Sequence, residues 1–89
     1  MLDRALALHP HVALRPEPFG ALAYLYDTRK LVFLKHPDIV RVVGTLADHA
    51  TLRDALVAAG IAEVRWPAFE RAVTSLAESG MLDERTLVG

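Results

Sequence analysis

Residues 21–35 read ALAYLYDTRKLVFLK, and this stretch decides the fold. Residues 21–26 place large apolar side chains at every second position, which is the period of a β-strand. A short polar connection, Asp27-Thr28-Arg29, leads into a second apolar run over residues 30–35 that has a lysine at each end. The pattern predicts a β-hairpin whose second strand is the last of the sheet.

A third strand is predicted just before the hairpin. Residues 11–15 alternate in the same way and then meet Pro16, where we expect the strand to stop because proline cannot donate to a ladder. The sequence Pro18-Phe19-Gly20 predicts a turn, with Phe19 anchored in the core. These residues therefore complete a small antiparallel meander.

Downstream of the hairpin the apolar period lengthens to that of a helix. Pro37 suits the first position of one helix, Thr51 followed by Asp54 resembles the N-terminal cap of a second, and Pro67 opens a third. The predicted fold class is α+β and winged-helix-like, with a three-stranded antiparallel sheet followed by three helices.

Length and composition limit what else the chain can be. With 89 residues, of which 53% are hydrophobic, we expect one domain over residues 1–89 and some apolar surface left for a partner. Residues 81–89 could form either a small wing or a tail. No cysteine is present, which excludes a disulfide scaffold and a thiol nucleophile. No apolar run approaches the length of a membrane span and no signal-peptide core is present, so a cytoplasmic protein without a membrane contact is expected.

The sequence supplies few groups for catalysis. Its four histidines lack the helical i, i+4 spacing of a zinc site and are interpreted as unclustered surface residues. No glycine-rich phosphate loop occurs, and neither serine of the third helix has a histidine nearby in sequence. We therefore expect no enzymatic activity, no metal and no cofactor.

Three helices with a small sheet also suggest a winged-helix transcription regulator, whose last helix would enter DNA. Residues 65–79 carry two arginines against two glutamates, so this helix lacks the surplus of positive charge that phosphate contacts need. The sequence favours a protein that binds no nucleic acid, with the regulator as the alternative. A structural subunit of another complex stays open as a third possibility.

The last strand of the meander is a candidate binding edge. An edge strand has unpaired N–H and C=O groups that an extended peptide can satisfy. Around this strand Arg29, Lys30, Lys35 and Arg41 stand against one acid, Asp38, which predicts attraction for an acidic segment. The alternative is an ordinary core strand whose charges are its solvated ends.

Two stretches also resemble a known family. RPEPFGALAY (residues 15–24) and TRKLVFLK (residues 28–35) are similar to the peptide chaperones of mycofactocin biosynthesis, within the wider group of domains like the D component of pyrroloquinoline-quinone biosynthesis. The resemblance implies a non-catalytic protein with two partners. These are a short precursor peptide with an acidic leader and the radical SAM enzyme that modifies the peptide's C-terminus. It further implies that the leader adds as a strand beside the third strand, in a groove closed by the third helix.

On the third helix a stripe of small side chains suits the floor of such a groove, although close packing inside the domain would use the same residues. The predicted peptide-binding residues are Arg29, Lys30, Leu31, Val32, Phe33, Leu34, Lys35, Ala68, Ala72 and Ser75. The sequence gives no role for Glu17, and the proline-flanked turn that contains Phe19 could instead contact the enzyme.

Overall fold

A computed structural model describes residues 1–85 of the chain. It confirms the predicted α+β class, with a three-stranded antiparallel sheet followed by three helices. The sheet has the order β2-β3-β4. The elements are β1 Leu6–Leu8, β2 Val12–Glu17, β3 Gly20–Leu25, β4 Lys30–Leu34, α1 Pro37–Gly44, α2 Leu52–Ala58, α3 Trp66–Glu78 and β5 Leu82–Glu84, with short 3-10 turns at Leu46–Asp48 and Glu63–Arg65.

Strand β2 is longer than its sequence suggested. The expectation that it stops at Pro16 was wrong, because the strand continues to Glu17 and pairs there with Gly20. Proline is tolerated because β2 is an edge strand, where a missing N–H need not break a ladder. Only Pro18 and Phe19 connect β2 to β3, so the turn was placed correctly.

The start of β3 requires a glycine. Gly20 has φ +149°, a conformation that residues with a side chain rarely adopt. A Cβ atom at this position would lie 2.1 Å from the carbonyl oxygen of Leu34. The missing side chain therefore lets the beginning of β3 approach the end of β4.

Side chains cap the first two helices. His36 Nδ1 accepts a hydrogen bond from the N–H of Asp38 at 3.0 Å, and Thr51 Oγ1 accepts one from the N–H of Asp54 at 3.3 Å. Helix α3 is held by Trp66, whose buried indole N–H donates to the carbonyl of Ile61 at 2.9 Å. Within the described residues, no helix is both long and apolar enough to cross a membrane.

The core lies between one face of the sheet and the helices. Strand alternation sends one set of β3 and β4 side chains into it, and the apolar stripe of each helix meets them there. No helix among residues 1–85 packs on the other sheet face. The buried residues that these elements contribute are Ala21, Ala23, Leu25, Leu34, Ile39, Val42, Val43, Leu52, Ala55, Leu56, Trp66, Phe69, Val73 and Leu76.

A second, two-stranded sheet joins the beginning of the described chain to its end. β1 pairs with β5 in antiparallel register, with Leu6 opposite Glu84. Arg4 donates to both carboxylate oxygens of Glu84, at 3.0 and 3.3 Å, and the guanidinium of Arg85 donates to main-chain carbonyls that include that of Leu6. Residues 82–84 thus form a strand where a wing or a tail was expected, and residues 86–89 of that prediction lie outside the described residues.

Candidate functional site

A groove runs between β4 and α3. Its volume is about 590 Å³. Apolar side chains form most of its lining, and cationic groups stand at its side. The lining residues are Phe33, Leu34, Lys35, His36, Ile39, Val64, Arg65, Ala68, Phe69 and Ala72.

The wall that β4 contributes is an unpaired strand edge. In the part of the chain that the structure describes, β4 pairs with β3 alone. Main-chain groups of an antiparallel pair point alternately toward the partner strand and away from it. The N–H of Tyr26 donates toward β2, so the odd-numbered residues of β3 point toward β4, where their partners are even-numbered. The N–H and C=O groups of Leu31 and Phe33 therefore point out of the sheet.

The side chains of β4 divide between two faces. Leu34 is buried and Val32 packs against the core, whereas Leu31 and Phe33 are exposed and alternate to the opposite face. Because β4 is at the edge of the sheet, Phe33 also borders the groove. At the two ends of the strand Lys30 and Lys35 are exposed. β4 therefore has one face packed on the core, one exposed face, and one edge that pairs with no strand among the described residues.

Three predicted cations carry no ion pair among residues 1–85: Arg29, Lys30 and Lys35. Arg29 lies in the turn before β4, with φ 57°. By contrast, Arg41, which was predicted to belong to this basic edge, is bound to Asp38. The edge therefore has three cations available to an acidic ligand.

Helix α3 brings only part of its small-residue stripe to the groove. Ala68 and Ala72 line it, and Ala68 is exposed while Ala72 is half-buried. Ser75, which was predicted with them, is also exposed but lines a separate shallow depression on α3. Helical spacing predicts which side of α3 a residue faces, but it does not predict how far along the helix the groove extends. The sequence therefore could not show that the groove ends before Ser75.

Five of the groove residues were missed from the sequence: His36, Ile39, Val64, Arg65 and Phe69. The histidines were interpreted as unclustered surface residues, and Arg65 was counted only in the charge balance of the third helix, so neither interpretation predicted a groove. Val64 did carry a usable signal, because it is an apolar residue outside the periodic run of α3. In the structure it is 87% exposed at the rim of the groove.

The carboxylate of Asp38 lies beside the groove and holds the guanidinium of Arg65, which lines the groove, in an ion pair. Asp38 accepts from Arg41 and, at 3.0 Å, from Arg65 Nη1. These two hydrogen bonds hold the pKa of the Asp38 carboxyl below its usual value, against a smaller opposing effect of desolvation. Arg65 is also stacked on Phe69, with its guanidinium carbon 5.3 Å from the ring centroid. Asp38 thus ties the first turn of α1 to the start of α3.

This ion cluster predicts a pH-dependent contribution to stability. Because the pKa of Asp38 is lowered on folding from its usual value of 3.8, the contribution is fully present above that value and is lost as the pH falls through the folded pKa. Asp38→Asn should therefore lower Tm at neutral pH, and the difference from the wild type should shrink as the pH falls below 3.8 and through the lower pKa of the folded state.

Asp54→Asn is the matched control for this prediction. Asp54 also lies in the first turn of a helix, but no cation pairs with it within residues 1–85. Thermal unfolding by circular dichroism across the acidic range compares the two variants. An Asp38→Asn deficit that persists undiminished in acid would contradict the role given to its charge.

Phe19 does not anchor the core, so that expectation was wrong. It is 40% exposed, and its ring lies 6.0 Å, centroid to centroid, from the exposed ring of Phe33. Phe19 lies in the two-residue connection between β2 and β3, beyond the paired residues of the sheet. Glu17 pairs with Arg15 at 3.2 Å on the same strand.

Two of the histidines are not isolated, in contrast to the interpretation from sequence. His9 and His11 flank Pro10 between β1 and β2, and their side chains lie close to that of Asp27 in the β3–β4 turn. One imidazole nitrogen of each histidine and one carboxylate oxygen of Asp27 lie within 4.8 Å of one another. His9 Nδ1 accepts from the N–H of His11 at 3.0 Å, and His11 Nδ1 lies 2.8 Å from Asp27 Oδ1. These hydrogen bonds account for the closeness of the three side chains.

The exposed side of α3 does not resemble a DNA-reading surface. Its charged residues are Glu70, Arg71 and Glu78, which line the shallow depression there. Two acids against one arginine leave this surface negative, and phosphate contacts require the opposite sign.

Comparison with known proteins identifies the family. The model of the peptide chaperone MftB family matches residues 5–83. A peptide chaperone MftB of Mycolicibacterium smegmatis is 50% identical over 80 residues, which cover 90% of this chain and 78% of that protein. One of Mycobacterium tuberculosis is 49% identical over 83 residues, 93% of this chain and 76% of that protein. The chain belongs to the peptide chaperone MftB family.

The match extends over both halves of the fold, since residues 5–83 include β1, the three-stranded sheet and all three helices. The groove and the free edge therefore lie inside the matched region. The resemblance drawn from residues 15–24 and 28–35 is confirmed. No solved structure gives a significant match to the chain.

Proposed function

We propose that this chain is a non-catalytic peptide chaperone. In this role it binds the leader of a short precursor peptide along β4 and presents the peptide to a radical SAM enzyme in mycofactocin-type redox cofactor biosynthesis. The observation that carries the proposal is the 590 Å³ groove beside an unpaired strand edge. Family membership supports it, because the relatives are named peptide chaperones.

The main chain of β4 supplies the first contact. Leu31 and Phe33 point two N–H and two C=O groups out of the sheet, and an added strand pairs with them as β3 does on the other side. Each such hydrogen bond contributes about 0.5–1.5 kcal/mol net. The ladder therefore fixes the direction and register of the leader, while most of the affinity comes from its side chains.

Strand alternation decides which leader side chains enter the groove. Residues i and i+2 of an added strand point to the same face, so every second side chain faces α3. There it meets Ile39, Phe69 and the alanines Ala68 and Ala72. The groove thus selects a leader with apolar residues at alternate positions, and the small alanines leave room for bulky ones.

Exposed cations give the edge its charge preference. Arg29 and Lys30 lie at the start of β4 and Lys35 just after its end, so an acidic leader is attracted along the whole strand. Exposed pairs contribute only about 0–1 kcal/mol each, whereas complementary potentials mainly accelerate association. The three cations act chiefly on the rate of encounter.

A role without catalysis fits the burial pattern. In residues 1–85 no polar or charged residue is buried. Desolvation is one of the main ways in which enzymes shift the pKa of an acid or base toward neutrality. Within the described residues this pattern supports the proposal of a role in binding rather than in acid–base catalysis.

Leu31→Pro tests the strand edge directly. Proline removes an N–H that points away from β3, so the sheet is expected to survive, as edge strands tolerate proline. Compared with Leu31→Ala, which removes most of the same side chain but keeps the N–H, the proline variant should bind the leader about 2- to 10-fold more weakly. Fluorescence anisotropy with a labelled synthetic leader measures both.

Circular dichroism must first show that both variants are folded. The position matters, because the N–H of Val32 points toward β3 and a proline there would disrupt the sheet itself. Equal affinities for folded Leu31→Pro and Leu31→Ala would remove β4 as the binding edge.

A further inference from the structure

The connection between β1 and β2 lies against the turn between β3 and β4, at one end of the three-stranded sheet. The side chains of His9, His11 and Asp27 come together there, and we call them the histidine cluster. One nitrogen of each ring and one carboxylate oxygen lie within 4.8 Å of one another. His9 is half-buried and the other two residues are exposed, so an ion in solution can reach them. None of the three lines the groove.

Main-chain hydrogen bonds hold the two histidines of the cluster in place. The carbonyl of His9 accepts from the N–H of Val12 at 2.9 Å, which closes a tight turn with Pro10 at its second position. Proline fixes φ near the value that this position requires. The carbonyl of His11 accepts from the N–H of Tyr26 at 3.3 Å, which joins the turn to the neighbouring hairpin. The cluster is therefore carried by two connections that are bonded to each other.

Side-chain hydrogen bonds bring the three polar groups together in pairs. His11 Nδ1 lies 2.8 Å from Asp27 Oδ1, and His9 Nδ1 accepts from the N–H of His11 at 3.0 Å. No hydrogen bond joins His9 to Asp27 among the described residues, yet the ligand atoms of both lie near those of His11. The pair of His11 and Asp27 is complete without His9, whereas a shared cation would use all three groups.

Two imidazoles and one carboxylate are a donor set for a divalent transition metal. Imidazole nitrogen suits zinc, copper and nickel ions, whereas magnesium and calcium ions prefer sites built from oxygen. Zinc binds nitrogen and carboxylate oxygen at about 2.0–2.2 Å, so ligand atoms of a tetrahedral site lie about 3.3–3.5 Å apart. Side-chain rotation, which the exposure of the cluster permits, brings atoms within 4.8 Å to that spacing.

We propose that the histidine cluster binds one divalent transition-metal ion of the zinc class through His9, His11 and Asp27. Three protein ligands leave the fourth tetrahedral position to water. The sequence predicted no metal because its histidines lack the i, i+4 spacing of a helical zinc site. Here the ligands come from two connections instead, and the pairing of β2 with β3 brings those connections together. This inference does not depend on the proposed function.

The ion links the β1–β2 connection to the hairpin turn that precedes β4. Because the site is exposed and has three ligands, we expect Kd on the order of 10 µM, weaker than that of closed four-ligand sites. A ligand that binds the folded state stabilises it by mass action. Zinc at ten times Kd should therefore raise Tm by about 5–10 °C.

Titration calorimetry with zinc chloride alone tests the site, on the whole chain without a polyhistidine tag. The wild type should bind one ion per chain. His9→Ala and His11→Ala should each weaken binding at least about tenfold, as should Asp27→Asn, which removes the charge of the carboxylate but keeps its shape. Magnesium chloride should give no binding heat.

His49→Ala is the matched control, because it removes a histidine that lies outside the cluster. Within residues 1–85 the hydrogen bonds of His49 are made by its main chain, so the domain is expected to tolerate the change. This variant should keep the wild-type zinc affinity. Nitrogen-resolved NMR spectra of the imidazole rings provide a second measurement, in which zinc should shift the signals of His9 and His11 and leave that of His49 in place.

Contrary results would overturn the site. Absence of both binding heat and a Tm shift in the wild type would show that the cluster binds no zinc. Wild-type affinity in folded His11→Ala, or an equal loss in His49→Ala, would reveal adventitious binding to surface histidines only. If His11→Ala does not fold by circular dichroism, His9→Ala gives the same test. Wild-type affinity in Asp27→Asn would refute the carboxylate as the third ligand.

Discussion

Gly20→Ala is expected to destabilise the domain by about 3–5 kcal/mol, a large part of the stability of a protein of this size. Two costs combine at this position. The backbone has φ +149°, and the new Cβ would lie 2.1 Å from the carbonyl oxygen of Leu34. Because that oxygen belongs to main chain at the end of β4, relief requires the strand itself to move. Chemical unfolding with urea measures the loss.

Gly60→Ala separates the two costs. Gly60 also has a positive φ, 73°, but nothing lies within 4 Å of the position that a Cβ atom would take there. Its replacement should cost only the backbone strain, about 1–2 kcal/mol. Similar losses in the two variants would show that the contact with Leu34 is relieved cheaply. A folded Gly20→Ala protein should also bind leader poorly, because Leu34 lines the groove.

Ala68→Phe is expected to weaken leader binding about 10- to 100-fold, or about 1.4–2.8 kcal/mol, with little change in Tm. Ala68 is exposed, so a larger side chain need not disturb the core. It lines the groove, so a phenyl ring there occupies space that the proposal assigns to side chains of the leader. Titration calorimetry with a synthetic leader gives the affinity.

Ser75→Phe is the matched control on the same helix. Ser75 is equally part of the small-residue stripe and is exposed, but it does not line the groove. Its replacement should leave leader affinity unchanged. An equal loss in both variants would mean that the leader covers more of α3 than the groove. No loss in Ala68→Phe would mean that the leader binds elsewhere.

Local patterns predicted the elements of the fold that local physics determines. The hairpin over residues 21–35 combines a period of two with a polar connection, and both signals lie within a few residues. The helix starts at Pro37 and Thr51 were predicted for the same reason, since caps are local chemistry. These features appear in the structure where the sequence placed them.

Pairings between distant segments escaped prediction. β1 and β5 have three residues each, too few for a periodic signal, and their partners lie at opposite ends of the described chain. The error at Pro16 has a related cause. Whether a proline ends a strand depends on whether its N–H faces a partner strand, and the order of strands decides that.

The candidate site was predicted in part for the same physical reason. The sequence supplied β4 as an edge and Ala68 and Ala72 as a stripe, because each lies on one element. The ends of the groove come from α1 and from the turn before α3, where His36, Arg65 and Val64 stand. These residues come together only because α1 and α3 pack against each other. Local sequence patterns do not predict such packing between helices.

The pairing of β1 with β5 also bears on how the protein emerges from the ribosome. Leu6 is 2% exposed in the folded domain, yet its strand partner lies opposite it at Glu84. At a synthesis rate of about 5–20 residues per second, the nascent chain waits several seconds before that partner exists. The meander and the first helices can form during that interval, whereas β1 stays unpaired until translation has passed β5. We expect ribosome-bound chains truncated before Leu82 to remain sensitive to protease near Leu6, and chains that have fully released β5 to be protected there.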